Sequence, residues 1–515
     1  MHSEIQPRDV TVAGGRRAGL ATTTGRAVAV LAILAVALTA AATLAEFDVA
    51  DPDLWHHLAW GRETLARGGP PSEDPFAYVP TIKPIVHHEW LTTVVFYWML
   101  QHWGAWSFAA LRLVVGLSTL VVAGFSGWRR GASLASILVI VVTILPAIEV
   151  GFALIRAQAF TFLLFAIFIF LLEDAHRGRR WPLAVAVALI VPWANLHGGF
   201  LAGIGLMMLY ALSSAISDRR LAWPMMAATV TAVVASLANP YGIDYWRYLA
   251  QAVTMPRPTM ADWKAVPLDV WTQPGFKALV LIAGLSAFAV PRRHWPGIVV
   301  LGVTAFLGFR HVRHIPFFAI AALAYLAPML TPLLARALRL GGDLTTGRQL
   351  LTRGLGTAAI GFLAIASAHQ LARFTSWTPT VPASFYPVGS VDFIRLNGLS
   401  GNLATPFNWG SFVTWKLSPD VKVSIDGRFE VAYPEEVRVR NLQLLYGVGN
   451  WQSVLEDYPT DMILVDRAYP MAALVRTAQG WTRVYGDALS EVYVRSAKSN
   501  RAWLMPAKRD AGTFP

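Results

Sequence analysis

Eleven apolar runs fill most of the first 372 residues, at 27–46, 106–127, 134–154, 158–172, 181–194, 199–217, 221–238, 277–291, 297–309, 315–334 and 355–372. A run of about 20 apolar residues spans a bilayer as a helix, because hydrocarbon offers no water to satisfy peptide groups. Only 14% of the 515 residues are charged, whereas soluble domains run near a quarter. These two facts predict an all-α polytopic bundle of about 11–12 membrane helices. A twelfth segment, 89–104, is short and polar for a span, and reads as re-entrant or interfacial.

Charge sets the orientation. The net charge is +12, but the arginines gather between apolar runs: Arg129 with Arg130, Arg177 to Arg180, Arg219 with Arg220, Arg292 with Arg293, and Arg336 to Arg353. That spacing marks cytoplasmic loops rather than a nucleic-acid surface, so no nucleic-acid partner is expected. The chain has no cysteine, which excludes disulfides and thiolate-bound zinc. Residues 1–26 form a cytoplasmic tail, and the first run is an uncleaved helix rather than a signal peptide. The bundle is expected to occupy 27–375, with a first extracytoplasmic loop at 47–88.

Residues 376–515 change character. VKVSID (421–426), DMILVD (461–466), WTRVYGD (481–487) and EVYVRS (491–496) alternate as strands do, and helical segments lie between them. An odd number of crossings places this soluble α/β domain outside the cytoplasm.

The same topology collects the polar sequences on the outer face. They are EFDVADPDLWHHLAWG (46–61), HHEW (87–90), IRAQ (155–158), NLHGG (195–199), NPYG (239–242), ADWKAVP (261–267) and RHVRH (310–314). Ionisable groups at a membrane surface are costly, and decoration of one face points to a site there. Asp51 and Asp53 flank Pro52, and Asp53 is a candidate N-cap for the helix that follows. Asp48 and Asp51 lack that explanation, so a carboxylate held there can serve as general base. His57, His88 and Glu89 could bind an acceptor or a phosphate; without HExxH spacing no metal site is expected. Glu149 and Arg156 lie two helical turns apart and could pair. Asn195 and His197 sit at a helix end beside two glycines. Arg310 and His311, with Arg313 and His314, suit an anionic ligand such as a phosphate. Asp426 and Arg428 read first as a structural turn and second as acceptor-binding.

The series D-x-D-L-W-x-H-L-x-x-G (Asp51 to Gly61), H-E-W-L (His88 to Leu91), R-x-Q (Arg156, Gln158), N-L-H-G-G-F (195–200), N-P-x-G (239–242), N-W-G (408–410) and I-D-G-R (425–428) resembles a group of bacterial polytopic proteins of the GT-C glycosyltransferase superfamily. The superfamily includes protein mannosyltransferases and aminoarabinose transferases. The resemblance covers nearly the whole chain. It implies a GT-C-like module and a polyprenyl-phosphate sugar donor. It also implies transfer with inversion to an extracytoplasmic glycan, lipid or protein acceptor, and Asp51 or Asp53 as base. The chain departs from the pattern at His56, Ala157 and Asp262, where Trp, Pro and Glu are expected. No cofactor is implied, although a divalent cation could join the acids. The implied setting is the bacterial inner membrane, with membrane lipid as a partner. Two other functions fit the same features: a transporter or flippase, and a non-catalytic envelope-assembly protein.

Overall fold

The computed structural model describes residues 30–44, 49–152, 154–255, 257, 260–287, 295–340, 376–499 and 502–515, with positions 361, 364, 365, 367–369 and 372. The N-terminal tail, Glu46, Asp48, Arg292, Arg293 and most of the 355–372 run lie outside the described residues, as does the side chain of Glu149.

Helices follow the apolar runs. They are α1 (Val30–Leu44), α2 (Pro52–Arg67), α3 (Trp90–Trp103), α4 (Trp106–Arg129), α5 (Leu134–Phe152), α6 (Gln158–His176) and α7 (Trp181–Leu196). Then come α8 (Phe200–Ser217), α9 (Arg219–Ala235), α10 (Ile243–Thr254), α11 (Pro274–Ala287), α12 (Trp295–Arg310), α13 (Ile315–Ala321) and α14 (Ala327–Leu340). A π-helical turn, Ala322–Leu326, joins the last two into one rod. Among the described residues, Trp106–Arg129, Gln158–His176 and Val312–Arg336 are long and apolar enough to cross a membrane, and six further apolar helices are shorter. Many helices present large apolar side chains outward, among them Val121, Trp223, Ile216, Leu285 and Phe306.

Antiparallel packing sorts the polar groups to two ends. At one end Arg129 and Arg179 each lie 3.0 Å from Asp174, and Arg130 pairs with Glu173. Glu173 also accepts a 2.5 Å hydrogen bond from Tyr210, beside Tyr325 of the π-helical turn. Arg156, His197, Asp262 and Arg313 gather at the other end.

The C-terminal part builds a five-stranded sheet in the order β2-β1-β3-β5-β4, from β1 (Gly401–Ala404), β2 (Val421–Val423), β3 (Met462–Asp466), β4 (Trp481–Gly486) and β5 (Ser490–Arg495). β1 runs parallel to β2 and β3, and β5 runs antiparallel to β3 and β4. Four strands fall within the alternating segments of the sequence, with β5 starting one residue early at Ser490, whereas β1 does not. Around the sheet lie α15 (Val388–Leu396), α16 (Phe407–Leu417), α17 (Glu435–Tyr446) and α18 (Met471–Thr477).

One face of this unit shares a core with the start of the chain. Trp55 of α2, fully buried, meets Tyr386 and Phe412 edge-on at 5.8 and 5.2 Å, and such pairs add about 0.5–1.5 kcal/mol each beyond area burial. Val49 bridges Thr380, Ala77 bridges Val423, and the Tyr386 hydroxyl donates to the Ala50 carbonyl. Close backbone approach explains two motif glycines. A Cβ on Gly61 would lie 2.1 Å from the Thr93 carbonyl oxygen of α3, and one on Gly410 would lie 1.9 Å from that of Ile425.

Candidate functional site

The site begins where α2 begins. Pro at the first helical position costs no hydrogen bond, since that N–H has no partner inside a helix. The residue before it is therefore the cap. Asp51 has an extended backbone, and its side chain accepts the Asp53 N–H at 2.7 Å. This corrects the expectation that Asp53 is the cap. Asp51 is buried, with a side chain 1% exposed, while Asp53 is 32% exposed.

Arg156, in the turn between α5 and α6, reaches both acids. Its Nε lies 3.1 Å from Asp51 Oδ2 and 3.1 Å from Asp53 Oδ2, and its Nη1 lies 3.6 Å from Asp262 Oδ2. These acids are its described partners, and the expected pairing with Glu149 lies outside the described side chains. Arg313 Nη1 approaches the same Asp262 oxygen at 3.8 Å. Three carboxylates and two guanidiniums from four segments thus share one charged cluster. Burial raises the Asp51 carboxyl to about 6, reinforced by Asp53 and opposed by Arg156. Burial also works against the charge on Arg156, but Asp53, Asp51 and Asp262 outweigh it and raise its pKa. The guanidinium occupies the point where the carboxylates converge, so these acids do not fit a resident divalent cation while Arg156 is there.

Trp263 covers one side of this cluster. Its ring lies 4.2 Å from the guanidinium carbon of Arg257 and 4.5 Å from that of Arg313, within cation–π range. Arg257 in turn holds Glu430 of the C-terminal part at 2.6 Å.

A second cluster surrounds Glu89. His57 Nε2 lies 3.5 Å from Oε2, and the Nε2 atoms of His88 and His197 each lie 3.4 Å from Oε1. The Gly199 N–H donates to His197 Nδ1 at 2.8 Å, which leaves the ring proton on Nε2, facing Glu89. Burial lowers His57, and it lowers His197 to about 3, so both imidazoles are neutral near pH 7. Burial would raise Glu89, but the surrounding imidazoles outweigh it and hold the carboxyl well below its ordinary value. The result is a carboxylate ringed by N–H groups.

Three residues expected at the site stand elsewhere. Asn195 accepts from Trp90 Nε1 at 2.8 Å and donates to the Val191 and Ala238 carbonyls at 2.8 and 2.9 Å, so its amide ties helices together. Arg310 is exposed at the end of α12, and Arg313 rather than Arg310 meets Asp262. His311 turns Nδ1 to the Trp263 carbonyl at 2.6 Å and buttresses that ring. Asp426 and Arg428 are buried with Asp74 in an ion triad, Arg428 lying 2.6 Å from Asp426 and 2.7 Å from Asp74. Asp262 and Trp263 were absent from the expected set, in which Arg313 stood beside Arg310 as an anion-binding residue. The acidic-aromatic pair inside an otherwise plain loop was the signal for both.

No family model matches the chain, and no curated protein sequence matches it. Solved structures do. The oligosaccharyltransferase of Archaeoglobus fulgidus in its apo form matches with a TM-score of 0.60 at 12% identity, over 91% of this chain and 74% of that one. The archaeal oligosaccharyltransferase AglB of the same organism, in complex with an inhibitory peptide and a dolichol-phosphate, matches with a TM-score of 0.58 at 12% identity, over 90% and 74%. The chain therefore shares the fold of these archaeal oligosaccharyltransferases.

Proposed function

We propose that this chain is an integral membrane glycosyltransferase. It moves a sugar from a polyprenyl-phosphate donor to an acceptor outside the cytoplasm, with inversion at the anomeric carbon. The observation that carries the reading is the meeting of Asp51, Asp53, Arg156, Asp262 and Arg313 at one end of a bundle with the oligosaccharyltransferase fold. A solved relative in fold holds both a dolichol-phosphate and a peptide, which supports a lipid-linked donor and an outer acceptor here. Outward apolar side chains along the helices support a lipid setting in the bacterial inner membrane, with the C-terminal part on the outer side.

Asp53 is the base in this reading. A base needs an accessible lone pair. Asp51 gives one oxygen to the helix cap and the other to Arg156, and it is buried. Asp53 is partly exposed and holds one described partner, Arg156. Asp53 takes the proton of the acceptor hydroxyl, whose oxygen attacks the anomeric carbon from the face opposite the phosphate. The bond from that carbon to the phosphate oxygen breaks, and the lipid phosphate leaves with the electron pair. Arg313, with Arg156, stabilises the leaving phosphate. Asp51 and Asp262 hold the two guanidiniums in place.

The test is transfer from radiolabelled polyprenyl-phosphate sugars by purified protein, with Asp53→Asn beside wild type. Loss of transfer in the variant supports the reading. Undiminished transfer in Asp53→Asn removes Asp53 as base, and no transfer by wild type from any such donor removes the activity.

A further inference from the structure

The structure brings together three buried histidines that the transfer chemistry does not use. His56 and His57 come from the first turns of α2, and His87 comes from the loop before α3. One ring nitrogen from each lies within 4.8 Å of the other two. All three are more than nine-tenths buried, and the Nδ1 atom of each has no hydrogen-bond partner among the described residues. The sequence argument against a metal was the absence of HExxH spacing. That spacing does not describe this set, in which two residues come from one helix and the third from a separate loop.

We infer that His56, His57 and His87 form a binding site for a divalent transition metal of the zinc class. A neutral imidazole offers one ring-nitrogen lone pair to a metal. His57 turns Nε2 towards Glu89, at 3.5 Å, which leaves Nδ1 as the ligand atom. A carboxylate behind a ligating imidazole is the usual support for a metal-bound histidine, and it fixes the ring. His87 is fixed differently, stacked on Trp60 at 4.9 Å between ring centroids. Neutral nitrogen donors in a set of three favour zinc, cobalt or nickel over magnesium or calcium, which take oxygen. Tetrahedral ligands at about 2.0–2.1 Å from zinc lie about 3.4 Å apart, so the rings draw inward on binding. No fourth His, Asp or Glu joins the group among the described residues, and a water completes it. Bound there, the ion fastens α2 to the loop that carries His88 and Glu89.

Metal binding is read without any transfer assay, so it stands or falls apart from the proposed activity. Full-length protein in detergent is stripped with a chelator, reloaded with Zn2+ and analysed for metal by mass spectrometry. A parallel sample receives Co2+ for visible spectroscopy. About one Zn2+ per chain is expected in wild type and in Asp53→Asn, and none in His87→Ala. The Co2+ form should show the visible bands of a nitrogen-ligated tetrahedral site. Glu89→Gln should bind Zn2+ about 10–100-fold more weakly, as loss of the supporting carboxylate does elsewhere. Absence of Zn2+ from reloaded wild type overturns the inference. So does Zn2+ that His87→Ala retains and Asp53→Asn loses, which would place the ion among the acids. If His87→Ala does not fold, the wild-type Co2+ spectrum decides, and a spectrum without nitrogen-ligand bands overturns the inference.

Discussion

Replacing Arg156 by Met tests whether one guanidinium organises the acids. The change keeps the aliphatic stem and removes the charge. In wild type the guanidinium lies 3.1 Å from Asp51 and Asp53 and 3.6 Å from Asp262. A close pair attracts by about 4 kcal/mol at an effective dielectric of about 20. Desolvation and repulsion among the three acids cancel much of that, and breaking a buried pair costs about 3–5 kcal/mol in practice. Arg156, Asp53 and Asp262 are each about a third exposed, so solvent screening moves the expected loss to about 2–3 kcal/mol. The loss should depend on pH. The folded-state pKa of Asp51 already stands at about 6, against 3.8 for a free Asp carboxyl. A raised carboxyl contributes stability that is full below the unfolded value and is lost as pH rises through the folded one. Removing Arg156 moves that upper limit higher still. The variant's deficit should therefore be largest above about pH 7 and shrink towards about pH 5, where Asp51 is protonated. Thermal unfolding followed by the fluorescence of the 20 tryptophans gives the difference in Tm at each pH, and transfer should fall by about 10²–10³-fold. A Tm deficit that is absent, or that stays constant from about pH 7.5 to about pH 5, refutes the electrostatic account.

Asp53→Asn should slow transfer by about 10²–10⁴-fold with a Tm near wild type, whereas Asp51→Ala should lower the Tm because it removes both a cap worth about 1 kcal/mol and an ion pair. The pair of variants is read by the transfer assay and the unfolding curve together. Arg428→Met leaves Asp74 and Asp426 buried without their cation, at a cost of about 3–5 kcal/mol, and limited proteolysis should then cut the C-terminal part faster. Gly410→Ala places a methyl 1.9 Å from the Ile425 carbonyl oxygen, which should destabilise by about 1–3 kcal/mol; Gly205→Ala, with open space around its Cβ, is the matched control.

The apolar runs made the helices legible, because long apolar stretches bounded by polar turns read as helices. They also sorted the polar clusters to one end, since antiparallel helices expose alternate connections there. Local chemistry was partly legible. Pro52 at the first helical position signals that the cap is Asp51, a cue that the two flanking acids obscured. What stayed hidden depends on partners far away in the chain. Asn195 reads as a site residue in the sequence, but Trp90 and the Ala238 carbonyl take up its amide. Arg313 rather than Arg310 meets Asp262 because the chain turns between them, a phase that apolar spacing does not report. The role of Arg428 needed Asp74, from a loop more than three hundred positions earlier. β1 is four residues long and opens on Gly401 at positive φ, too short for alternation to mark.

The core shared by Trp55, Tyr386 and Phe412 has a consequence in time. Ala50 and Tyr386, joined by a hydrogen bond in the finished protein, are 336 positions apart. At a synthesis rate of about 5–20 residues per second, roughly 20–70 seconds separate their emergence from the ribosome. During that interval α2 carries Asp51 and Asp53 with no roof over Trp55, and the acids have not received their final setting. The stretch around Tyr386 therefore completes the setting of the loop at Ala50, and a product that ends before it lacks a finished site.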